Sequence, residues 1–120
     1  MHARVMTVQI RHGKVGGAVQ IYRDVVLPLL EGQRGFCGAK LLTDPKTGRG
    51  LLLTWWVSEA AMRAVEARGV FHEETACFQP VLGAPPSGEC FEVSVSRSGP
   101  GGGGHLSPNE EGPLASAPGE

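Results

Sequence analysis

The chain has 120 residues, a mass of 12.6 kDa and a formal net charge of −1, which is enough for one domain. It carries no concentrated positive charge of the kind that binds nucleic acid or an anionic membrane surface. No apolar run approaches the ~20 residues of a membrane-spanning helix, and the opening MHARVMTVQIRHG lacks a secretory signal pattern. We therefore expect a cytoplasmic protein without nucleic-acid or membrane partners.

Composition divides the chain near residue 96. Residues 97–120 contain seven Gly and four Pro, and their one Arg and three Glu give a net charge of −2. Such a segment buries too little apolar surface to order itself, so we expect a disordered tail. Residues 1–96 are expected to form the folded domain, with a modest core that gains from contact with a partner surface.

The cysteine pattern predicts free thiols. Cys37, Cys77 and Cys90 are odd in number and show no Cys-x-x-Cys spacing, which argues against a disulfide framework and a cysteine zinc site. The segment 72–77, HEETAC, also lacks the spacing of a known metal motif. We therefore expect no metal.

The first part of the chain predicts a strand followed by a helix. Apolar and polar residues alternate from Arg4 to Arg11, which indicates a strand with one clearly apolar face. From Val15 to Leu30 apolar residues recur at helical spacing, with Tyr22 on the inward stripe. Pro28 lies in the last turn, where it is expected to kink or end the helix.

A hairpin is predicted next, from strands at Phe36–Thr43 and Leu51–Val57 joined through Asp44–Gly48. The second of these strands reads LLLTWWV, so both of its faces are apolar, with Trp55 on one face and Trp56 on the other. Such a strand is expected at the centre of a sheet that is covered on both sides.

The remaining elements are a second helix and a last strand. Ser58 is a suitable N-cap for a helix over Ala60–Arg68, and Gly69 fits the position after its end. Residues 70–79 fit either a further helical turn or an irregular return. Alternation predicts a short final strand over Cys90–Ser96.

The order of elements is strand, helix, strand, strand, helix, strand, which is the ferredoxin-like βαββαβ plan of an α+β fold with an antiparallel sheet. Its strand order, 4-1-3-2, places the LLLTWWV strand in the interior of the sheet. Because two helices cover only one sheet face, the other face would be left wet in a monomer. We therefore expect a homodimer that closes sheet on sheet.

The residues from 21 to 62 resemble the antibiotic biosynthesis monooxygenase-like (ABM) domains of the dimeric α/β barrel superfamily, and the likeness extends over most of residues 4–96. The matching features are a helix ending in a Leu-Pro step, a Gly-Phe strand entry, an Asp…Gly hairpin, a Trp-x-Ser-Glu step into the second helix, and a last strand. In this sequence these are Val26-Leu27-Pro28, Gly35-Phe36, Asp44–Gly48, Trp56-Val57-Ser58-Glu59 and Phe91-Glu92-Val93.

The resemblance implies a dimer, in some members with a pocket between sheet and helices. Some members of the family oxidise phenolic polycyclic substrates with O₂ and no metal or flavin, and others degrade haem. The haem-degrading members carry a Trp and a His where this sequence aligns Val65 and Thr75, and an Asn in the first strand that this sequence lacks. No cofactor is therefore expected.

Six residues are candidates for a site. His72 and Arg11 are catalytic candidates, as a base or a counter-charge. Tyr22 and Trp56 are candidates for shaping an aromatic pocket, and Thr7 and Gln9 for adding polarity to it. Each has a structural alternative: core packing for Tyr22 and Trp56, an exposed helix exit for His72, and pairing in a dimer interface for the strand residues.

Two functions fit these observations. One is a cofactor-independent monooxygenase that acts on a small aromatic or quinol-like substrate. The other is a non-catalytic small-molecule-binding or structural homodimer of the same fold. A cavity lined by Trp56, Tyr22 and a titratable group favours the enzyme, whereas a filled core favours the binding protein.

Overall fold

The computed structural model describes residues 1–102. The part of the expected tail from residue 103 onward lies outside the described residues. No helix in residues 1–102 is long and apolar enough to span a bilayer.

The described residues form an α+β fold in which one antiparallel sheet is covered by helices on one face. The strands are β1 (His2–Gln9), β2 (Phe36–Thr43), β3 (Arg49–Trp56) and β4 (Ser87–Glu92), and they lie in the order β2-β3-β1-β4. All neighbouring strands are antiparallel. This is the predicted ferredoxin-like sheet, with β3 and β1 in its interior.

The first helical region continues past the proline that was expected to kink or end it. It comprises α1 (Val15–Ile21), a π-helical segment (Tyr22–Val26) and α2 (Leu27–Glu31). Because proline has no N–H to donate, the turn before Pro28 changes its hydrogen-bond pattern, and Leu27 N–H bonds to the carbonyl five residues back, at Tyr22. The widened turn directs Tyr22 and Val26 into the core.

The second helical region is two helices, α3 (Glu59–Ala67) and α4 (Val70–Cys77). Ser58 caps α3, since its side chain accepts a hydrogen bond from Ala61 N–H at 3.1 Å. Gly69 separates the helices with φ of +80°, a left-handed conformation that glycine adopts without strain. The ambiguous residues 70–79 are thus mostly helical, followed by a 3₁₀ turn (Gln79–Val81).

The outer strands differ in extent from the predicted ones. β1 begins and ends two residues earlier than expected, and only an isolated bridge from Ile10 to Leu82 continues it. β4 covers Ser87–Glu92 rather than Cys90–Ser96, because its register is set by antiparallel pairing with β1, where Thr7 faces Ser87 and His2 faces Glu92.

Helices and sheet enclose one core on the helix-covered face. The sheet contributes buried residues at alternate positions of β1 and β3 and at the bridge residue after β1, namely Met6, Val8, Ile10, Leu52, Thr54 and Trp56. The helical regions contribute Ala18, Tyr22, Val26, Leu30, Met62, Val65, Val70, Phe71 and Phe78.

The opposite side of the sheet, which we call the open face, has no cover in the described chain. It consists of the other alternate positions, which are mostly apolar (Ala3, Val5, Leu42, Leu51, Leu53, Trp55 and Phe91) and include Thr7, Gly38, Lys40, Ser87 and Glu89. Trp55 is half-buried because its indole ring lies across the backbone of β2 at Gly38.

Gly38 and Gly16 give opposite expectations for substitution by alanine. A Cβ at Gly38 would overlap the Trp55 ring, so Gly38→Ala should destabilise the fold by about 1–3 kcal/mol. A Cβ at Gly16, in α1, meets no atom within 4 Å, so Gly16→Ala should stabilise it by about 0.5–1 kcal/mol. Urea unfolding of the two variants and the wild type measures both effects. Equal unfolding midpoints for Gly38→Ala and the wild type would contradict the packing of Trp55.

Candidate active site

Trp56 forms the apolar wall at one end of the core. Its side chain is 0% exposed, and its indole Nε1 donates to Thr54 Oγ1 at 3.0 Å. Two rings pack edge-on against it, Phe36 with a centroid separation of 5.5 Å and Phe71 at 5.7 Å. Since its one donor is satisfied and its faces are packed, Trp56 supports the site as a rigid aromatic wall.

Arg4 lies on the helix-covered face of β1, directly opposite Thr54. Its guanidinium group stacks on the ring of Phe71, with Cζ 4.3 Å from the centroid, and reaches Glu66 at 4.0 Å. Gly88 on β4 makes room for it, because a Cβ there would lie 3.4 Å from Nη2. Arg4 Nε is buried and has no hydrogen-bond partner. A positive charge is therefore held over an aromatic ring at the edge of the core, where the Arg4 side chain is 16% exposed.

Glu74 is a buried carboxyl group on α4. Its side chain is 2% exposed, and it follows Phe71 by three residues, so the two occupy the same inward face. Removal from water disfavours the charged form and raises the pKa of Glu74 to about 7, although Arg4 acts in the opposite direction. The carboxyl group consequently exchanges its proton near neutral pH.

Tyr22 is the third polar group in this region. It begins the π-helical segment and is 8% exposed, and its hydroxyl group is buried without a hydrogen-bond partner. Burial, and then the nearby Glu74 carboxylate, raise the pKa of the Tyr22 phenol, so it stays protonated as a donor. A buried hydroxyl without a partner is uncommon and indicates a place for a water molecule or a ligand.

We call Arg4, Tyr22 and Glu74 the buried polar site. It combines a fixed positive charge, a hydroxyl donor and a carboxyl group that titrates near pH 7, all within aromatic and aliphatic walls. Titratable groups perturbed by burial and by a specific charged neighbour are typical of catalytic sites. This set can remove a proton from a bound molecule and stabilise the resulting anion.

The structure separates most of the residues proposed from sequence. Tyr22 and Trp56 both lie in the core between the helices and the sheet. His72 is exposed on α4, although the next residue but one, Glu74, is buried. Thr7 lies on the open face, and Arg11 follows the far end of β1.

Gln9 has a structural contact of its own. Its side-chain Nε2 donates to the carbonyl of Thr47 at 2.8 Å, which ties β1 to the loop between β2 and β3. The six residues therefore do not form one site in a single chain, and the roles of His72, Arg11, Thr7 and Gln9 stay predictions.

Glu74 and Arg4 were not identified from the sequence, although each is a charged residue at a position where the pattern calls for an apolar one. In α4 and its C-cap, Val70, Phe71, Glu74 and Phe78 are spaced as one buried helical stripe, so Glu74 is a charged residue at an apolar position. Arg4 is likewise a charged residue at an inward position, because it precedes Met6 and Val8 at the same two-residue spacing. The signal for Glu74 was hidden because residues 70–79 had no clear secondary-structure prediction.

The raised pKa of Glu74 makes stability depend on pH. Between the ordinary value of 4.5 and about 7 the folded state holds a proton that the unfolded state has released, so the free energy of unfolding falls as pH rises across this window. Glu74→Gln removes the dependence, and its stability relative to the wild type should rise by about 3 kcal/mol between pH 4.5 and pH 8. Urea unfolding at a series of pH values measures the difference.

Glu73 supplies the matched control, because it is exposed on the same helix. Glu73→Gln should follow the wild-type pH profile. A constant stability difference between Glu74→Gln and the wild type from pH 4.5 to 8 would show that Glu74 titrates normally in the folded protein.

Comparison with known proteins places this architecture in a family. The antibiotic biosynthesis monooxygenase family model matches residues 1–73. Uncharacterized proteins from two Mycobacterium tuberculosis strains are 34% identical over 95 residues, which is 79% of this chain. The chain spans 42% of the length of these relatives.

Solved structures share the fold at low sequence identity. A crystal structure of an antibiotic biosynthesis monooxygenase has a TM-score of 0.61 at 14% identity and covers 79% of this chain and 100% of its own. A protein of unknown function from Nitrosomonas europaea has a TM-score of 0.65 at 17% identity, covering 82% and 93%. A variant of MhuD with two manganese protoporphyrin IX molecules bound per active site has a TM-score of 0.63 at 24% identity, covering 82% and 100%. These structures show a shared fold, and the match of the family model over residues 1–73 shows that the chain belongs to the antibiotic biosynthesis monooxygenase family.

Proposed function

We propose that the protein is a monooxygenase that uses O₂ to oxidise a small, electron-rich aromatic substrate in the buried polar site, without an added cofactor. The family supports the reaction class. The observation that carries the proposal is the unpartnered Tyr22 hydroxyl beside Glu74, a carboxyl group whose pKa of about 7 suits a general base. The Trp56 and Phe71 rings supply an aromatic surround for such a substrate.

The proposed chemistry needs a substrate with an acidic CH₂ group next to a phenol or quinol ring. Glu74 accepts a proton from this group, and Arg4 stabilises the carbanion or phenolate that results. The anion passes one electron to O₂, and the two radicals combine to form a C–O bond. Glu74 returns its proton to the peroxide, which loses water to leave a carbonyl group. The sum is CH₂ + O₂ → C=O + H₂O, and all the electrons come from the substrate.

Haem does not fit the residues that this chain supplies. Thr75 occupies the position aligned with the histidine of the haem-degrading members, and its hydroxyl donates to the backbone carbonyl of His72 at 2.9 Å. Val65, aligned with their Trp, is fully buried in the core. Within residues 1–102 no three His, Cys, Asp or Glu side chains cluster as metal ligands. We therefore derive no step through haem.

A purely structural role is the weaker reading of the same site. A filled structural core is stable when its polar groups are paired or absent. Here Tyr22 Oη and Arg4 Nε are buried without partners. The cost of burying them is explained if they act on a bound molecule.

The open face supports a homodimer. In one chain it leaves large apolar side chains in contact with water, among them Phe91 at 50% and Leu42 at 45% exposed. A second copy packed sheet on sheet would cover them on both chains at once. We propose this dimer, acting in a reducing compartment such as the cytoplasm, since the three cysteines are unpaired in the structure.

Oxygen uptake tests the catalytic proposal. Anthrone-like and quinol substrates are supplied to the purified protein at pH 7.5, and the wild type should consume O₂ in a 1:1 ratio with the ketone formed. Glu74→Gln keeps the side-chain size but cannot accept the proton, so its rate should fall roughly 100-fold or more. Glu73→Gln, exposed on the same helix, should keep the wild-type rate.

His72→Ala separates the two candidate bases on α4. A rate unchanged in His72→Ala and lost in Glu74→Gln assigns the proton transfer to Glu74. The reverse pattern would assign it to His72 and overturn the role of Glu74. If none of the substrates supports O₂ uptake, the oxygenase proposal is wrong and the non-catalytic binding role is favoured.

The dimer has a separate test in solution. Leu53→Glu places a charge at the centre of the open face and should shift the mass measured by light scattering at micromolar concentration from dimer to monomer. Val25→Glu is the control, because Val25 is 49% exposed in the π-helical segment, away from that face. A wild-type protein that is already monomeric would contradict the dimer.

A further inference from the structure

A polar cleft lies at the far end of β1 from the buried polar site. It has a volume of about 170 Å³, and its walls come from residues 9–13, 15 and 45–48. Arg11 is seven residues beyond Arg4, which at ~3.3 Å per strand residue puts the cleft roughly 20 Å from the guanidinium group of Arg4. The cleft is therefore separate from the proposed oxygenase site.

Hydrogen bonds hold the walls of this cleft in place. Ile10 N–H donates to the carbonyl of Gly48 at 2.7 Å, next to the contact between Gln9 and Thr47. Gly48 has φ of +77°, and a Cβ there would collide with the carbonyl oxygen of Ile10, so this close approach requires glycine. The shape of the cleft is thus built into the fold and does not depend on a bound molecule.

The cleft is positively charged although the chain as a whole is not. Arg11 and Lys46 give its lining a formal charge of +2 in a protein of net charge −1, and Lys14 and Arg49 are adjacent to it in the chain. Arg11, His12 and Lys46 contribute to the lining, and no Asp or Glu does. Asp44, beside the cleft, is engaged in the loop, where its Oδ1 accepts from Lys46 N–H at 3.0 Å.

Arg11 is oriented by a bond that leaves most of its donors free. Its side-chain Nε donates to the carbonyl of Leu82 at 3.0 Å, and its backbone N–H donates to the carbonyl of Val81 at 2.8 Å. The guanidinium group is therefore anchored at one edge, with its terminal nitrogens available. An anchored planar fork beside a mobile ammonium group is the arrangement that binds a tetrahedral oxyanion through several charge-assisted hydrogen bonds.

We propose that this cleft is a phosphate-binding site formed by Arg11, His12 and Lys46. A volume of about 170 Å³ has room for a phosphate group and several waters, since one water takes ~30 Å³ in the liquid. The ligand class is a phosphate or a phosphate monoester. This inference is independent of the proposed oxygenase activity, because it uses none of the residues of the buried polar site.

Titration calorimetry with inorganic phosphate tests the site at pH 7.5, with ionic strength held constant by chloride. The wild type should bind one phosphate per chain, saturably. Lys46→Gln and Arg11→Gln should each raise the dissociation constant about fivefold, as expected for removal of one partly exposed charge. Arg23→Gln, a matched loss of charge on the exposed side of the π-helical segment, should leave it unchanged.

Acetate at the same ionic strength distinguishes a phosphate site from general anion attraction, and it should not saturate. The proposal is overturned if phosphate binding is not saturable, if acetate binds equally well, or if Arg23→Gln weakens binding as much as Lys46→Gln. Lys46 lies on an exposed loop, so Lys46→Gln remains decisive even if Arg11→Gln loses its anchoring bond and unfolds.

Discussion

A sheet has two faces, and the helices within residues 1–102 cover only one. β3 is apolar on both sides, so its inward residues Leu52 and Trp56 pack beneath the helices while Leu53 and Trp55 belong to the open face. The rest of the architecture follows from this imbalance. The covered face provides a water-poor interior in which polar groups acquire unusual chemistry. The uncovered face is the surface that the proposed second copy would cover.

The buried polar site is an exception in a core that is otherwise almost entirely apolar. Desolvation of Glu74 disfavours its charged form and raises its pKa, and the attraction of Arg4 offsets this only in part. Nonpolar residues of similar size at these positions would be expected to give a more stable core. Charged groups retained in the core of a small domain, which has little stability to spare, are typical of functional sites and agree with the proposed function.

Proline and glycine act here by setting backbone geometry at particular places. Pro28 shifts the hydrogen bonds of the preceding turn to a π-helical pattern, and that turn carries Tyr22 into the site. Gly88 leaves the space that the Arg4 guanidinium group occupies, and Gly48 allows the loop to approach Ile10 at the opposite end of β1. The two ends of one strand thus serve two different polar environments, a buried one around Arg4 and an open cationic one around Arg11.

The amino-acid sequence by itself determined the order of the elements, the strand topology, the central place of β3 and the inward face of β1, because these depend on hydrophobic periodicity that is local in the chain. It also indicated Tyr22 as an inward residue and placed Trp55 and Trp56 on opposite faces of β3. It did not reveal Glu74, since residues 70–79 have no clear period until the packing of α4 against the core selects the helix. Only the tertiary structure decided that Arg4, Tyr22 and Glu74 come together while His72 and Arg11 do not. These three residues lie on a strand, a widened helical turn and a later helix, and the packing of the layers decides whether they meet. The same packing buries Glu74 and so raises its pKa.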